Sequence, residues 1–390
     1  MTNKNLVYYA SFFTYTIQGM VAISLGLLIP HMSITYSINH SQSGTMILFM
    51  LLGGTIASTV GGLLNDRLGE KTLTIIGSLC LILGYSMMLL INNITIIFIL
   101  LFIVGCGTGI FNIALNMLVA TVSRSNPKKT NALHTFFAIG AVLATIIITI
   151  ITYYELPWKM FLFILIAMSA TSILLFANIH IERHAQKSKS KSNDLSFFKK
   201  PQIYILVLLT FFYVGAECSI NGWAVTFFNE SGIVSNSASN TVLTIFWVLV
   251  IIGRLLNQRL SITLESRIIG SSIIILISYV LLLSTSSIIV LIVSVIMLGL
   301  SMSAFYPNVV ANSSEKLKDN ATAIGLILSF GGLGGAVIPW TSGIIAESNG
   351  IKAGMYAVIV SIIFLIIASL LNSLLRNKKT VLRAAREDIE

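Results

Sequence analysis

The sequence predicts an all-α integral membrane protein of twelve transmembrane helices in two pseudo-symmetric six-helix bundles. Three observations predict it. Only 10% of the 390 residues are charged, 56% are hydrophobic, and mean hydropathy is +0.92, where a soluble domain carries about 25% charged residues. Twelve apolar stretches can be drawn, at 6–30, 43–64, 72–91, 95–121, 132–153, 158–181, 202–228, 237–257, 268–285, 288–312, 321–346 and 353–375. Each can cross a hydrocarbon core that takes about 20 helical residues, and lipid offers no water to satisfy an open backbone, so each must be a helix. Third, GGLLNDRL at 61–68 returns as GRLLNQRL at 253–260, six of eight positions alike and 192 residues later. An offset near half the chain marks two homologous bundles whose halves move about a central site. The expected units are 1–181 and 202–376, joined by a basic linker at 182–201 and followed by a tail at 377–390.

Taken in order, the spans differ most in their polar residues. Span 1 carries Ser11, Tyr15, Gln18 and Ala22 at helical spacing, and span 4 carries Thr108, Asn112 and Asn116. Amides offer both donors and acceptors, which suits a neutral hydroxylated ligand better than a lone cation. Gly105, Gly107 and Gly109, with no strand before them, read as close helix packing or a point of bending. His134 opens span 5 and is either a titrating group or a helix-end histidine bonded to structure. The linker holds six basic residues and the polar run KSKSKS. It reads as a solvated tether, with a membrane-surface segment at Phe197 and Phe198 as the alternative.

Span 7 holds Glu217, the only acidic residue in the middle of any span. A charged side chain at that depth costs about 2.5–3.5 kcal/mol on insertion scales. Tyr213, Glu217 and Asn221 are spaced by four and share one face. Two readings stand for Glu217: a group that binds a proton in one state and releases it in another, or a permanently protonated acid bonded to a neighbouring helix. Span 10 adds Ser301, Phe305, Asn308 and Asn312. Trp223, Trp247, Phe305 and Tyr306 either offer apolar faces to a ligand ring or pack. The boundary between spans 9 and 10 rests on the short turn from Ser284 to Ser287.

Charge gives orientation. Of the 24 lysines and arginines, all but Lys159 and Lys352 fall at the N-terminus, in the hairpins on its side, or in the tail. Positive residues stay cytoplasmic, so both termini are expected inside the cell membrane. The net charge of +10 then marks a face beside anionic lipid and not a nucleic-acid partner. No cleavable signal peptide is evident. Cys80, Cys106 and Cys218 all fall inside spans, without metal-ligand spacing or a pair for a disulfide. No phosphate loop, zinc helix or nucleophile elbow is present. The expectation is a protein that is not an enzyme, holds no cofactor or metal, and is monomeric.

The stretch Gly62-Leu63-Leu64-Asn65-Asp66-Arg67-Leu68-Gly69-Glu70-Lys71 resembles the hairpin signature of the major facilitator superfamily, G-x-L-A-D-R-x-G-R-K, with Asn65 and Glu70 as departures. The resemblance extends over nearly the whole chain through span number, central loop and repeat. It implies that Gly62, Asp66, Arg67, Gly69 and Lys71, with Arg259 in the second copy, form a gating hairpin that packs against the other half when the cytoplasmic side closes. Gln258 stands where the second copy would have an aspartate, which implies a weaker latch there. More narrowly, YVGAECSINGWAVTFF at 213–228 and NALHTFFAIG at 131–140 resemble the fucose-permease-like branch of sugar–proton symporters. That branch implies a sugar-like substrate and coupling protons carried by Glu217 and His134. The residues expected to hold the substrate are Gln18, Asn112, Asn116, Tyr213, Asn221, Trp223, Trp247 and Asn308. Fucose permease itself uses acids in spans 1 and 4, where this chain has Gln18, Asn112 and Asn116. Proton-driven efflux of drugs or metabolites is the alternative, although span 5 lacks the proline of the drug-antiporter motif. A transporter-like sensor is a third reading.

Overall fold

The computed structural model describes residues 4–124, 126–179, 201–257, 262–303, 305–317 and 321–387. Thirteen helices follow one another across them: α1 Lys4–Tyr36, α2 His40–Leu68, α3 Glu70–Leu90, α4 Ile94–Ser123, α5 Pro127–Tyr153, α6 Lys159–Ala177, α7 Pro201–Ser231, α8 Asn236–Asn257, α9 Leu264–Ser284, α10 Ile288–Met302, α11 Phe305–Leu317, α12 Ala321–Asn349 and α13 Ile351–Glu387. They make twelve segments long and apolar enough to cross a membrane, α10 and α11 sharing one. No strand occurs among the described residues.

Local chemistry sets the ends of these helices. α2 opens on a capping box in which the Asn39 side chain accepts the Gln42 N–H and the Gln42 side chain accepts the Asn39 N–H. α2 and α3 are separated by Gly69 alone, whose φ of 78° favours glycine. α5 starts on an Asn126 cap with Pro127 in its first turn, where the missing N–H costs nothing. Between α9 and α10 the serine–threonine turn closes when the Ser287 N–H donates to Thr285 Oγ1 at 2.9 Å.

Two stretches add detail to the sequence reading. The stretch expected as one helix over 288–312 is one membrane-length segment, described as α10 to Met302 and α11 from Phe305, with Ser303 at helical φ −53° and ψ −39°. Pro307 has no N–H to give the carbonyl four residues earlier, Ser303, which is left open. At the other end, α13 runs on past the predicted span to Glu387.

Even span number puts both chain ends on one side, called here the terminal side; the loop at 37–39 lies on the far side. α1 is the most enclosed helix and packs on α4, α5, α6 and α7. α4 lies against α2 and α3, α7 against α12 and α13, and α9 against α10 and α13. The GCGTG run is a packing face: Gly105 and Gly109 lie on the backbone carbonyls of Met50 and Gly54 in α2, where any Cβ would collide. Outward-facing Leu83, Phe163, Ile289 and Leu374 are among the exposed apolar side chains, as suits contact with lipid.

The first six helices meet the later ones through α2 against α12, α1 against α7 and α5 against α8. Most of the close approaches lie toward the far side. Gly44 faces Trp340 and Gly343, Gly26 lies on the Asn221 carbonyl, and Asn240 reaches Thr152 at 3.4 Å. Toward the terminal side Asn112 and His134 stay exposed between the helices, which marks a cleft there.

Candidate functional site

One wall of the cleft is built on Tyr15 of α1. Its hydroxyl donates to Asn112 Oδ1 at 3.1 Å and accepts from Asn116 Nδ2 at 2.9 Å. The same amide nitrogen also donates to the Asn112 carbonyl at 2.7 Å. Tyr15 is buried, Asn116 is half-buried and Asn112 is exposed. An exposed amide that bonds an inward-facing tyrosine must look into open space between helices. His134 of α5 is likewise exposed there, its ring edge-on to Tyr15 at 5.5 Å. Gln18, one turn from Tyr15, is buried and its Oε1 finds no partner within the protein.

The facing wall centres on the junction of α10 and α11. Pro307 leaves the Ser303 carbonyl without its helical donor, and in lipid such a group must find another. The Tyr213 hydroxyl donates to the Met302 carbonyl at 2.9 Å, and Arg254 Nε donates to the Ser303 carbonyl at 3.4 Å. The other arm of the Arg254 guanidinium crosses to α5 and donates to the His134 carbonyl at 3.0 Å. Tyr213 stacks on Phe305 with ring centroids 4.5 Å apart. Glu217, one turn beyond Tyr213, is deep in the protein yet half-open to the cleft, with the Tyr213 hydroxyl beside it and the Arg254 charge acting on it through space. No carboxylate forms an ion pair with Arg254 within 4.0 Å among the described residues.

Trp247, Asn221 and Asn308 lie on the same three helices, α8, α7 and α11. Trp247 lies 6.0 Å from the Phe137 ring across the α5–α8 contact, and its Nε1 has no partner within the protein. Asn308 accepts from Asn257 at 3.3 Å, which leaves its Nδ2 unpartnered, and Asn221 Oδ1 is unpartnered too. A buried polar group left unpaired costs about 1–3 kcal/mol. Gln18, Asn221, Asn308 and Trp247 therefore offer two acceptors and two donors that a hydroxylated molecule can satisfy. Trp223 lies elsewhere: it is fully buried toward the far side, its Nε1 donating to the Pro339 carbonyl at 2.9 Å. Asn312, in the span 10 stripe, is engaged by Glu265 at 3.1 Å.

The hairpin between α2 and α3 makes local bonds. Asn65 and Glu70, the two departures from the signature, are each other's partner, Nδ2 to Oε1 at 3.3 Å. Lys71 Nζ donates to the Ala177 and Ile179 carbonyls at 3.1 and 2.8 Å, satisfying the open end of α6. Gly62 faces Ile113 of α4, and Arg67 is exposed. The Asp66 side chain and Arg259, like Gln258, Phe197 and Phe198, lie outside the described residues.

Sequence reasoning missed two groups. Arg254 carried a signal, since it replaces a glycine within the repeat, but it read as a topology charge. The other group closes the far side. His40 Nε2 lies 2.8 Å from Glu230 Oε1, its backbone N–H donates to Glu347 Oε2 at 2.9 Å, and its Nδ1 lies 3.8 Å from that oxygen. These contacts join α2 to α7 and α12 across 190 and 307 residues, a separation no local pattern reveals. Among the described residues no group of three or more His, Cys, Asp or Glu is arranged to hold a metal ion.

Comparison with known proteins agrees with this architecture. The Major Facilitator Superfamily profile matches residues 11–339 and, in a second alignment, 232–388. The chain is similar to the glucose/mannose transporter GlcP of Bacillus subtilis (strain 168), 24% identical over 357 residues that cover 86% of each chain. It shares its fold with the nucleoside transporter NupG at a TM-score of 0.75 and 17% identity, over 96% of this chain and 98% of that one. The E. coli fucose:proton symporter FucP superposes at a TM-score of 0.66 and 18% identity, over 94% and 98%.

Proposed function

The chain belongs to the major facilitator superfamily of multi-pass membrane transporters, and from that premise we propose that it moves a small, polar, sugar-like solute across the cell membrane by alternating access, coupled to protons. One observation carries the reading. Buried amide and indole atoms without protein partners lie on α1, α7, α8 and α11, and α7 also holds Glu217, the one carboxyl in the middle of a span. Neutral donors and acceptors suit hydroxyl groups, and the carboxyl supplies a proton site. The names of GlcP, a glucose/mannose transporter, and FucP, a fucose:proton symporter, support the same class.

In this reading Gln18, Asn112, Asn116, Asn221 and Asn308 hold hydroxyls, and Trp247 lays its face against the solute and donates its N–H. Tyr213 ties α7, and with it Glu217, to the end of α10. Glu217 carries the coupling proton, and His134 is the second titrating group of the cleft. Trp223 belongs to the packing of the far side. Residues 1–181 and 202–376 are the two moving units, linked by 182–201, with a cytoplasmic tail at 377–390 and the terminal side facing the cytoplasm. The geometry is then the inward-facing state: the far side is closed at His40, Glu230 and Glu347, and the cleft opens to the cytoplasm. The Asp66 hairpin would engage only when that side closes, which fits the bonds of Asn65 and Lys71 staying within the first six helices and the segment after α6.

Uptake and efflux of a panel of sugars, nucleosides and cationic dyes, in proteoliposomes with and without an imposed proton gradient, tests the proposal. Gradient-driven uptake of a sugar is the expected result. Gradient-driven extrusion of dyes with no sugar movement would replace it with proton-driven efflux.

A further inference from the structure

The guanidinium of Arg254 holds two backbone carbonyls that belong to different parts of the molecule. One is the His134 carbonyl on α5, at 3.0 Å from a terminal nitrogen; the other is the Ser303 carbonyl at the end of α10, at 3.4 Å from Nε. The second acceptor exists because Pro307 cannot use it. Arg254 itself sits on α8, which packs on α5 where the first six helices meet the later ones. A single planar fork therefore ties three helices and spans the boundary between the moving halves. Both acceptors are neutral, while the Glu217 carboxyl stands one helical turn from Tyr213, whose hydroxyl holds the Met302 carbonyl next to the Ser303 carbonyl that Arg254 takes.

We propose that Arg254 is the positioning residue that converts the protonation state of Glu217 into a loosening or tightening of the α5–α8 contact. The proposal rests on Glu217 being the proton site. With Glu217 neutral, the fork has only carbonyls to bind and stays on His134 and Ser303, as in this structure. When Glu217 releases its proton to water in the cleft, a carboxylate competes for the fork. Charge-assisted bonds are about twice as strong as bonds to neutral acceptors, so the guanidinium leaves the His134 carbonyl for Glu217 and α5 loses its tie to α8. Rebinding of a proton reverses the exchange. The titratable and charged groups that face the pair are Tyr15 of α1, His134 of α5, Tyr213 and Cys218 of α7 and Tyr306 of α11. Among them no second carboxylate or cation intervenes between Arg254 and Glu217.

The test is a distance between spin labels on the exposed positions Lys128 of α5 and Leu256 of α8, in full-length protein with Cys80, Cys106 and Cys218 replaced by alanine. Pulsed electron–electron resonance in lipid nanodiscs is compared at pH 5 and pH 8. The parent is expected to lengthen at pH 8 by about 2 Å, the scale of helix shifts at moving interfaces. Glu217→Gln should remain short at both values, and Arg254→Gln should lose the pH dependence with Glu217 still present. Arg254→Lys keeps the charge but lacks the fork, so its shift should fall to half or less; it decides the matter if Arg254→Gln is not monodisperse. A full shift in Arg254→Gln or Arg254→Lys, or no shift in the parent, overturns the role of Arg254. A full shift in Glu217→Gln overturns the proton-site reading on which it stands.

Discussion

At the residue scale the site combines satisfied and unsatisfied polar atoms, and the two kinds make different predictions. Tyr15 is fully engaged by Asn112 and Asn116, so those amides already have partners within the protein. Gln18 Oε1 has no partner within the protein, and an unpaired buried acceptor contributes nothing to stability. Gln18→Met should therefore leave the melting temperature unchanged or slightly higher. The apparent KM for the transported solute should rise about 3–10-fold, the loss of one neutral hydrogen bond worth about 0.5–1.5 kcal/mol. A KM within a factor of two of the parent would remove Gln18 from the binding set. The spacing of Tyr213, Glu217 and Asn221 was legible in the sequence because helical periodicity alone brings them to one face. The employment of Trp223 was not, since it depends on a carbonyl in α12 more than a hundred residues away.

Elements show where a local rule was present but unread. A proline at 307 inside an apolar run is a standing signal for an open carbonyl one turn back, yet hydropathy alone does not show it. That open carbonyl, Ser303, is the one Arg254 takes. Pro307→Ala would let the helix ladder reclaim the Ser303 carbonyl. The expected outcome is equal or higher thermal stability with initial transport rates reduced about tenfold, since about 1.4 kcal/mol on the barrier for rearrangement has that effect. Parent-like rates in a stable Pro307→Ala protein would show that the open carbonyl is incidental. The α2–α3 hairpin gives a second expectation. If Asp66 latches the closed terminal side, Asp66→Asn should slow exchange between access states while leaving insertion intact. Unchanged transport at parent expression would count against the latch. Its signature was legible as a motif, whereas the pairing of Asn65 with Glu70 became visible only once the turn at Gly69 set the two side by side.

For the whole molecule, composition and the half-period repeat made the fold readable, because lipid permits so few ways to satisfy a backbone. The contacts that hold the far side together, such as His40 with Glu230 and Glu347, were not readable, because they join segments distant in sequence. The central claim is that proton binding at Glu217 drives accumulation through alternating exposure of the cleft. Glu217→Gln keeps the shape and hydrogen-bonding capacity of the neutral acid but cannot titrate. Exchange of solute between equal concentrations needs binding and rocking without net proton release, so it should survive in this variant. Accumulation against a concentration gradient, driven by an imposed proton gradient in the same proteoliposomes, should fall to the level of empty vesicles. Accumulation by Glu217→Gln equal to the parent would contradict the account and move coupling to another group or abolish it.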